Sequence, residues 1–396
     1  MIPAVTVGTV DQLLTTLFHS GRRPLKTIAA QDSAIVLDEV HSYDPYTTGL
    51  ICKAIEQLAA IGARFMIMSA TFPSSLVEMF QSLLEKSAPV EIVRDQELLQ
   101  AARSRYQTVD DDLLNHLQKI RNQTNKGKRV LVVVNTVARC QEITQQLEDV
   151  DPVCYHSKFI LKDRQKKEKK ILEENPSLVI ATQVVEVALD IDFDILFTEC
   201  APPDAVAQRA GRINRKRERN GQVIIFQPGP GSDRIYFDDT RTEQKPEERL
   251  LERSFDIFSK YQDHDITEQQ LLNIVEKVYE NQHIDVHQDF KDSIRLVDYD
   301  QRRFRGMLDP LKDDEQHPTR LEKYIQVSVI PRDFCDEVLE VENPRDRRLY
   351  ELKMPAWYVK ENEFRDPENE DIVFCEMEYD DHLGGQFIEK DALRMF

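Results

Sequence analysis

Short apolar runs that end in polar or hydroxyl residues constrain the fold of this chain more than any other feature. Segments with apolar residues at helical spacing, such as 45–62 and 136–147, separate them. A strand buried on both faces of a parallel sheet is continuously apolar, and polar chemistry collects at its carboxyl end. The pattern therefore predicts an α/β protein built on parallel sheets. The clearest runs are 34–37, 64–70, 129–135, 178–182 and 195–199.

Length and composition limit the class of protein. The chain has 396 residues, more than a single hydrophobic core usually serves, and its 41% hydrophobic and 31% charged residues are typical of a globular protein. No apolar run reaches the length of a membrane span, and the first residues lack the basic start of a signal peptide. The six cysteines are scattered without a C-x-x-C pair, which argues against a disulfide framework and a zinc site and favours a cytoplasmic protein.

The charge of the chain is unevenly distributed. The net charge of -19 argues by itself against a nucleic-acid partner. Segments 158–170 and 209–219 are nevertheless strongly basic, whereas 361–381 is acidic. A basic centre of this kind is compatible with a local groove for a nucleic-acid backbone.

The chain divides into three consecutive blocks that differ in their pattern of predicted strands and helices. Residues 1–105 and 106–232 each alternate strands with helices, and the turn-rich QPGPGSD sequence closes the second block. Residues 233–396 combine two amphipathic helices, at 248–261 and 267–281, with short strands at 324–330, 356–359 and 372–376. We expect this last block to be a mixed α+β accessory domain. Because the chain opens within an apolar strand fragment, Val5–Val7, we expect the first domain to be incomplete.

Two adjacent acids, Asp38 and Glu39, follow the first apolar run. The first carboxylate can hold a Mg²⁺ ion bound to nucleotide phosphates, and the second can orient or deprotonate the attacking water. His41 stands two residues further on. The alternative is a strand that ends in a solvated acidic turn.

Two hydroxyl residues, Ser69 and Thr71, follow the next apolar run. If the two strands are neighbours, these hydroxyls can bond an acid of the Asp38–Glu39 pair and couple hydrolysis to movement. A helix cap before Pro73 explains them equally well.

Three arginines at a spacing of three residues, Arg209, Arg212 and Arg215, follow Gln208 in the sequence QRAGRINR. On a helix this spacing places them on one face, where a triphosphate would relieve their mutual repulsion. Gln208 would contact a phosphate or its bound water, and Asp190 would hold a ribose or one of the arginines. The alternative is a solvated basic helix end.

Several residues at strand ends and loops are candidate contacts for a nucleic-acid backbone, because their hydroxyl, amide and ring groups suit phosphate oxygens. Capping and structural roles are the alternatives, and for a lone histidine the structural role is favoured. The candidates are Thr9, Asn135, Thr136, His156, Thr182 and Gln183.

The ordered set DEVH, SAT, ATQVVEVALDID and QRAGRINR resembles a superfamily-two helicase. DEVHSYDPYTTGL and QRAGRINR are more narrowly similar to the CRISPR-associated helicase of type I systems. The resemblance spans about 1–225 and implies an incomplete first RecA-like domain, a complete second one and an accessory C-terminal domain. It also implies ATP and Mg²⁺ as cofactors, single-stranded DNA as the track, and recruitment by a guide-RNA surveillance complex.

The sequence departs from that family in one respect. It contains no G-x-x-x-x-G-K-[ST] phosphate loop and no HD nuclease motif. We therefore expect an N-terminally incomplete helicase polypeptide that depends on a further part carrying these elements, with doubtful ATPase activity of its own. The alternatives are a non-catalytic nucleic-acid-binding or scaffold module descended from a helicase, and a superfamily-two helicase that acts on RNA.

Overall fold

The computed structural model forms two compact units. Unit one comprises residues 1–95 and 279–323, and unit two comprises 96–278 and 324–396. Among the described residues, no helix is both long and apolar enough to cross a membrane. The residues that the structure describes are 4–18, 23–186, 190–216, 221–236, 249–280, 284–304, 319, 326–366 and 369–387.

Unit one has a parallel pair of strands at its centre. Strands β1 and β2 pair in register from Ala34 opposite Arg64 to Leu37 opposite Ile67. One face of the pair packs with α3 and α4 around Leu50 and Ile51, which are fully buried. The helices and strands are α1 (Val10–Leu14), α2 (Arg23–Ala30), β1 (Ala34–Leu37), α3 (Pro45–Ala59), β2 (Arg64–Ile67), α4 (Ser74–Leu84) and α13 (Gln288–Phe304).

Helix α3 is specified at its start and along one side. Asp44 accepts a hydrogen bond from the Thr47 backbone amide at 3.0 Å, and Pro45 occupies the first turn, where no amide partner is needed. Helix α13 packs against α3 at Gly49, where a Cβ atom would lie 2.1 Å from Ser293 Oγ and 2.9 Å from the Phe290 carbonyl oxygen. The missing side chain therefore allows the close approach of the two helices.

Unit two is built on a seven-stranded sheet with the strand order β5-β6-β4-β7-β8-β3-β9. All neighbours pair in parallel except β9, which runs antiparallel to β3. The central strands β4, β6 and β7 are buried at every position, as expected for a parallel sheet covered on both faces. Its strands are β3 (Ala102–Val109), β4 (Val130–Val133), β5 (Val153–Tyr155), β6 (Leu178–Ala181), β7 (Ile195–Glu199), β8 (Gly221–Phe226) and β9 (His264–Thr267).

Helices surround this sheet and connect its strands. The helices predicted at 136–147, 248–261 and 267–281 are present close to those positions, and a 3₁₀ turn at Leu113–His116 precedes another helix. The helices are α5 (Gln96–Gln100), α6 (Leu117–Asn125), α7 (Val137–Gln146), α8 (Leu161–Lys169), α9 (Pro203–Ala210), α10 (Ser232–Ile235), α11 (Leu250–Ser259) and α12 (Glu268–Val278).

Strand β3 was not expected from the sequence. Its residues, ARSRYQTV, are mostly polar, and Tyr106 alone among them is a deeply buried hydrophobic residue. Parallel pairing with β8 from Ser104 to Val109 supplies backbone hydrogen bonds that hold it in the sheet. The predicted domain boundary at residue 105 thus falls inside a strand of unit two.

The C-terminal part of unit two contains a second sheet, with the order β11-β10-β13-β12, and a separate hairpin, β14–β15. Segment 356–359, predicted as a strand, is instead the start of a helix that follows Pro355. The elements are β10 (Gln326–Pro331), α14 (Cys335–Leu339), α15 (Pro344–Arg347), β11 (Leu352–Pro355), α16 (Ala356–Asn362), β12 (Glu363–Asp366), β13 (Asn369–Cys375), β14 (Glu378–Asp380) and β15 (Gly384–Gln386).

The hairpin β14–β15 packs on the segment after β5. The Gly385 amide donates to the Lys158 carbonyl at 2.8 Å, and Tyr379 donates to Asp163 at 2.9 Å. Gly384 has a φ of 77°, and a Cβ atom there would lie 2.8 Å from His156 Cε1. Glycine is therefore needed for both the backbone conformation and the close approach.

A half-buried lysine next to this hairpin gives a pH-dependent prediction. Lys158 Nζ donates to the Lys353 carbonyl at 2.5 Å, and burial lowers its pKa from 10.5 to about 8. The unfolded chain binds the proton more tightly, so stability rises with pH between about 8 and 10.5. We expect Lys158→Met to stabilise the protein by about 1–2 kcal/mol at pH 7, and this gain to shrink towards pH 10.5.

Urea unfolding at several pH values measures this effect. Lys169→Met is the control, because that side chain is 72% exposed, and its stability difference from the wild type should not change with pH. A Lys158→Met gain that is constant across the window would show that the desolvated ammonium is not its cause.

Candidate functional site

The predicted acidic site forms at the carboxyl end of β1. The Glu39 amide donates to Asp38 Oδ1 at 3.0 Å, and Asp38 is exposed. Glu39 has a φ of 51°, in the left-handed region that residues other than glycine rarely adopt. Such a conformation is costly and concentrates at functional sites, so it supports a role for this turn beyond connecting two elements.

The end of β2 lies beside this turn, because the Met68 amide continues the sheet by donating to the Leu37 carbonyl at 2.8 Å. A hydrogen bond of 2.6 Å joins Ser69 Oγ to His41 Nδ1, and Glu39 Oε2 lies 3.4 Å from the same nitrogen. The Thr71 amide donates to Ser69 Oγ at 3.2 Å. The predicted proximity of the two strand ends is thus present, with Ser69 bonded to His41 rather than to an acid.

The Ser69–His41 bond can be tested by substitution. We expect Ser69→Ala to cost about 1–2 kcal/mol of local stability, since it removes the hydrogen bonds of Ser69 Oγ with His41 Nδ1 and with the Thr71 amide. Thr71→Val should cost little, because the Thr71 hydroxyl is buried and has no hydrogen-bond partner among the described residues. Hydrogen–deuterium exchange of the peptide 64–73 measures both effects, with the exposed Ser87→Ala as the control. Equal exchange in Ser69→Ala and the wild type would contradict the expected role of this bond.

Mg²⁺ and a nucleotide phosphate are the groups that this strand end would hold. Two carboxylates at the end of a parallel strand, one of them exposed, supply the hard oxygen ligands that Mg²⁺ prefers. The residues present therefore fit the ion. Thr9, also in unit one, is exposed and precedes α1 without a side-chain capping bond.

In unit two, Arg209 lies at the centre of a buried polar network. Its side chain is 0% exposed, and all five of its N–H groups have acceptors. It bonds Glu186 Oε1 at 2.7 Å, Thr198 Oγ1 at 2.7 Å, the Glu199 carbonyl at 3.0 Å, Asn135 Oδ1 at 3.0 Å and the Tyr236 hydroxyl. In this arrangement the guanidinium has no donor left for a phosphate, and it organises the ends of β4 and β7 instead.

Glu199 anchors the other side of the network. It accepts from the Asn135 amide at 2.7 Å and from Arg139 Nε at 2.9 Å. Burial raises the pKa of both Glu199 and Glu186, and the neighbouring arginines oppose that rise. Asn135, a predicted nucleic-acid contact, is 1% exposed and also donates to the Cys200 carbonyl and to Ser232.

The three arginines do not share a helix face, and that prediction is wrong. Helix α9 ends at Ala210, so it carries Gln208 and Arg209 only. Arg212 lies in the following turn and donates to the Val185 carbonyl at 3.0 Å and the Glu186 carbonyl at 2.5 Å. Arg215 is exposed beyond that turn, and its Nε lies 3.4 Å from Asp190 Oδ1.

The remaining predicted nucleic-acid contacts are mostly covered. Thr136 is partly exposed and caps α7 by accepting from the Arg139 amide. Thr182 is 3% exposed, and Gln183 donates to the Asn135 carbonyl at 2.9 Å. His156 is 0% exposed beneath the β14–β15 hairpin. Thr136 and Gln183 are therefore the partly exposed residues among these four, whereas Thr182 and His156 are buried.

Sequence reasoning missed two features of unit two. The acids Glu186 and Glu199 were not singled out, although an acid directly after an apolar run was available as a signal. Cys140, Cys154 and His156 also come together, with their possible metal-ligand atoms within 4.8 Å of one another. Their spacing along the chain matches no familiar motif, so the sequence carried no direct signal for this cluster.

Comparison with known proteins places this geometry in a class. Residues 126–218 match the family described as CRISPR-associated nuclease/helicase Cas3, C-terminal. A solved structure, T. fusca Cas3 with ADP, covers 96% of this chain with a TM-score of 0.72 at 16% identity, and this chain covers 57% of it. The T. fusca Cas3–ATP structure gives the same score at 17% identity. The fold is therefore that of the RecA-like helicase domains of such proteins.

Relatives identified by sequence show the same similarity. A protein of Methanocaldococcus jannaschii named for the CRISPR-associated nuclease/helicase Cas3 is 26% identical over 401 residues, which is 92% of this chain and 50% of that protein. The Streptococcus thermophilus Cas3 nuclease/helicase is 30% identical over 260 residues, 56% of this chain and 28% of that protein. The chain is therefore similar to Cas3 nuclease/helicases over most of its length, and the predicted resemblance is confirmed. It spans half or less of the length of these relatives.

Proposed function

We propose that this chain provides part of an ATP-dependent translocase or helicase that moves on single-stranded DNA in CRISPR interference. The observation that carries the proposal is the strained acidic turn at Asp38 and Glu39, where Glu39 Oε2 lies 3.4 Å from His41 Nδ1 and that nitrogen is hydrogen-bonded to Ser69 Oγ at the adjacent strand end. Its two carboxylates are groups that can hold Mg²⁺ and orient the attacking water in nucleotide hydrolysis.

Each residue has a proposed role at this site. Asp38 would hold the Mg²⁺ ion of the bound nucleotide, and Glu39 would orient the attacking water and accept its proton. When bound, Mg²⁺ neutralises charge that develops on the transferred phosphoryl group. His41 and Ser69 would hold Glu39 in position and link its state to the end of β2. Gln208, Arg212 and Arg215 stay predictions for phosphate contacts, and Thr9 and Thr136 for DNA contacts.

We infer that a second polypeptide part completes unit one. The face of β1 and β2 opposite α3 leaves Val36 55% and Met66 57% exposed. A parallel sheet normally has both faces covered, and two strands alone are marginal in water. We propose that this face binds the segment that carries the phosphate loop, since the Methanocaldococcus jannaschii relative has as much chain again outside the matched region.

Polar substitutions on this face test its role. Val36→Lys with Met66→Lys should make the isolated chain less prone to associate and should abolish stimulation by a phosphate-loop segment supplied separately. Val93→Lys is the matched control, because Val93 is 82% exposed in the same unit but outside the sheet. Light scattering and pull-down with the separate segment measure the two effects. Retained association of the double variant with the segment would rule out this face as its binding site.

The function is tested by joining this chain to the part of the Methanocaldococcus jannaschii relative that lies outside the match. We expect ATP hydrolysis that single-stranded DNA stimulates, where the chain alone gives none. A solved structure that covers 97% of this chain is titled as a CRISPR RNA-guided surveillance complex, pre-nicking. We propose a similar guide-RNA complex as the partner of this chain, and co-purification with such a complex tests that part separately.

One observation favours a second function, a nucleic-acid-binding module without catalysis. The sequence has no phosphate-loop motif, so nothing in it supplies the lysine and hydroxyl that bind the nucleotide phosphates. Salt-sensitive DNA binding by the joined protein without ATP turnover would favour this module over the helicase.

A further inference from the structure

A cluster of soft metal ligands lies in unit two. Cys140 lies on α7, Cys154 on β5, and His156 directly after β5; all three are 0% exposed. Their possible ligand atoms all lie within 4.8 Å of one another. Among the residues that the structure describes, this is the group of histidine, cysteine or acidic side chains whose spacing would allow metal binding. The proposed nucleotide chemistry uses none of the two sulfurs or the imidazole.

The two sulfurs already have the spacing of metal ligands. The Cys140 and Cys154 Sγ atoms lie 3.6 Å apart. A tetrahedral ion with metal–sulfur bonds of about 2.3 Å holds two sulfurs about 3.8 Å apart. A disulfide needs sulfurs about 2.05 Å apart. The observed separation therefore matches a shared metal ion more closely than a bond between the sulfurs.

The imidazole has the hydrogen bond that a metal-binding histidine normally makes. His156 Nε2 lies 2.9 Å from the Leu383 carbonyl, which accepts a hydrogen bond from it. The lone pair is then on Nδ1, which accepts from the Lys158 amide at 3.1 Å. A carbonyl that fixes the second nitrogen of the ring is the usual outer contact of a histidine ligand. Coordination at Nδ1 would replace only the bond from Lys158.

We propose that Cys140, Cys154 and His156 bind one thiophilic divalent metal ion, Zn²⁺ or its analogue Cd²⁺. The metal takes the place of the thiol protons, which pass to solvent, and the imidazole binds as the neutral form. The site joins α7 to β5 and, through the Leu383 carbonyl, fixes the β14–β15 hairpin against them. Since the ligands are buried, the ion enters during folding or when the hairpin opens.

Cd²⁺ titration of the full chain, prepared without metal-affinity resin, tests the proposal. Thiolate-to-cadmium absorbance in the ultraviolet should saturate at one equivalent, with a rise in melting temperature. Cys140→Ala and Cys154→Ala should lose both signals, and His156→Gln should weaken binding. Cys200→Ala is the control, because this thiol is also fully buried in unit two but lies outside the cluster.

A measurement on the wild type covers the case in which the variants do not fold. During slow labelling with N-ethylmaleimide in mild denaturant, Cd²⁺ should protect Cys140 and Cys154 selectively over the partly exposed Cys335. Three results would each overturn the proposal and leave the thiols with a packing role. They are the absence of saturable Cd²⁺ binding by the wild type, binding that persists in both cysteine variants, and an equal loss of binding in Cys200→Ala.

Discussion

Replacing Glu39 with glutamine is expected to lower kcat for ATP hydrolysis by about 100-fold or more in the chain joined to a phosphate-loop segment. Glutamine keeps the shape of the side chain but cannot accept the proton of the attacking water. The left-handed φ of 51° and the 3.4 Å approach to His41 fix where this carboxylate points. The KM for ATP should change much less, since Glu39 is proposed to act on water rather than on nucleotide binding.

Steady-state ATPase assays with single-stranded DNA measure this effect. Asp38→Ala should instead weaken Mg²⁺–nucleotide binding, which separates the roles of the two acids. Glu85→Gln, at the exposed end of α4, is the matched control and should leave both constants unchanged. Full activity in Glu39→Gln would remove Glu39 from the proposed site, while activity lost equally in Glu85→Gln would indicate a general defect.

Replacing Arg209 with methionine is expected to destabilise unit two by about 3–5 kcal/mol. The substitution removes five hydrogen bonds and leaves Glu186, whose side chain is 11% exposed, without its cation. A residue whose main role is to bind a phosphate would cost little stability when replaced. The measurement therefore decides between an organising role and direct contact with nucleotide.

Urea unfolding followed by the fluorescence of Trp357, the single tryptophan of the chain and part of unit two, gives the free energy of unfolding. Glu186→Gln should recover part of the loss in the Arg209→Met background, because it removes the uncompensated carboxylate. Arg215→Ala is the control, since Arg215 is exposed, and should change stability by less than about 0.5 kcal/mol. Wild-type stability of Arg209→Met would refute the organising role.

Much of the fold followed from local patterns. The continuous apolar runs at 129–135, 178–182 and 195–199 predicted β4, β6 and β7, which are buried at every position. Strand β3 escaped prediction because its polar sequence depends on pairing with β8, a partner distant along the chain. Segment 356–359 carries residues that favour strands, yet it is helical in its tertiary context.

Part of the candidate site was likewise predictable from local patterns, and part of it depends on tertiary contacts. Asp38 and Ser69 were predicted to be neighbours because parallel strands present their carboxyl ends at one edge, and the register of β1 and β2 places them so. The roles of Arg209 and His156 could not be predicted, since burial and saturation of their hydrogen bonds depend on residues far away in sequence.

The sequence by itself determined the class of fold, the acidic strand end at Asp38 and Glu39, and the resemblance to CRISPR-associated helicases. These depend on periodicity and on residue order, which are local properties. Only the tertiary structure decided that five acceptors enclose Arg209 and that one face of β1 and β2 leaves Val36 and Met66 exposed. It also decided that Cys140, Cys154 and His156 lie within metal-binding distance of one another. Each of these depends on distances between segments that are remote along the chain, which packing alone determines.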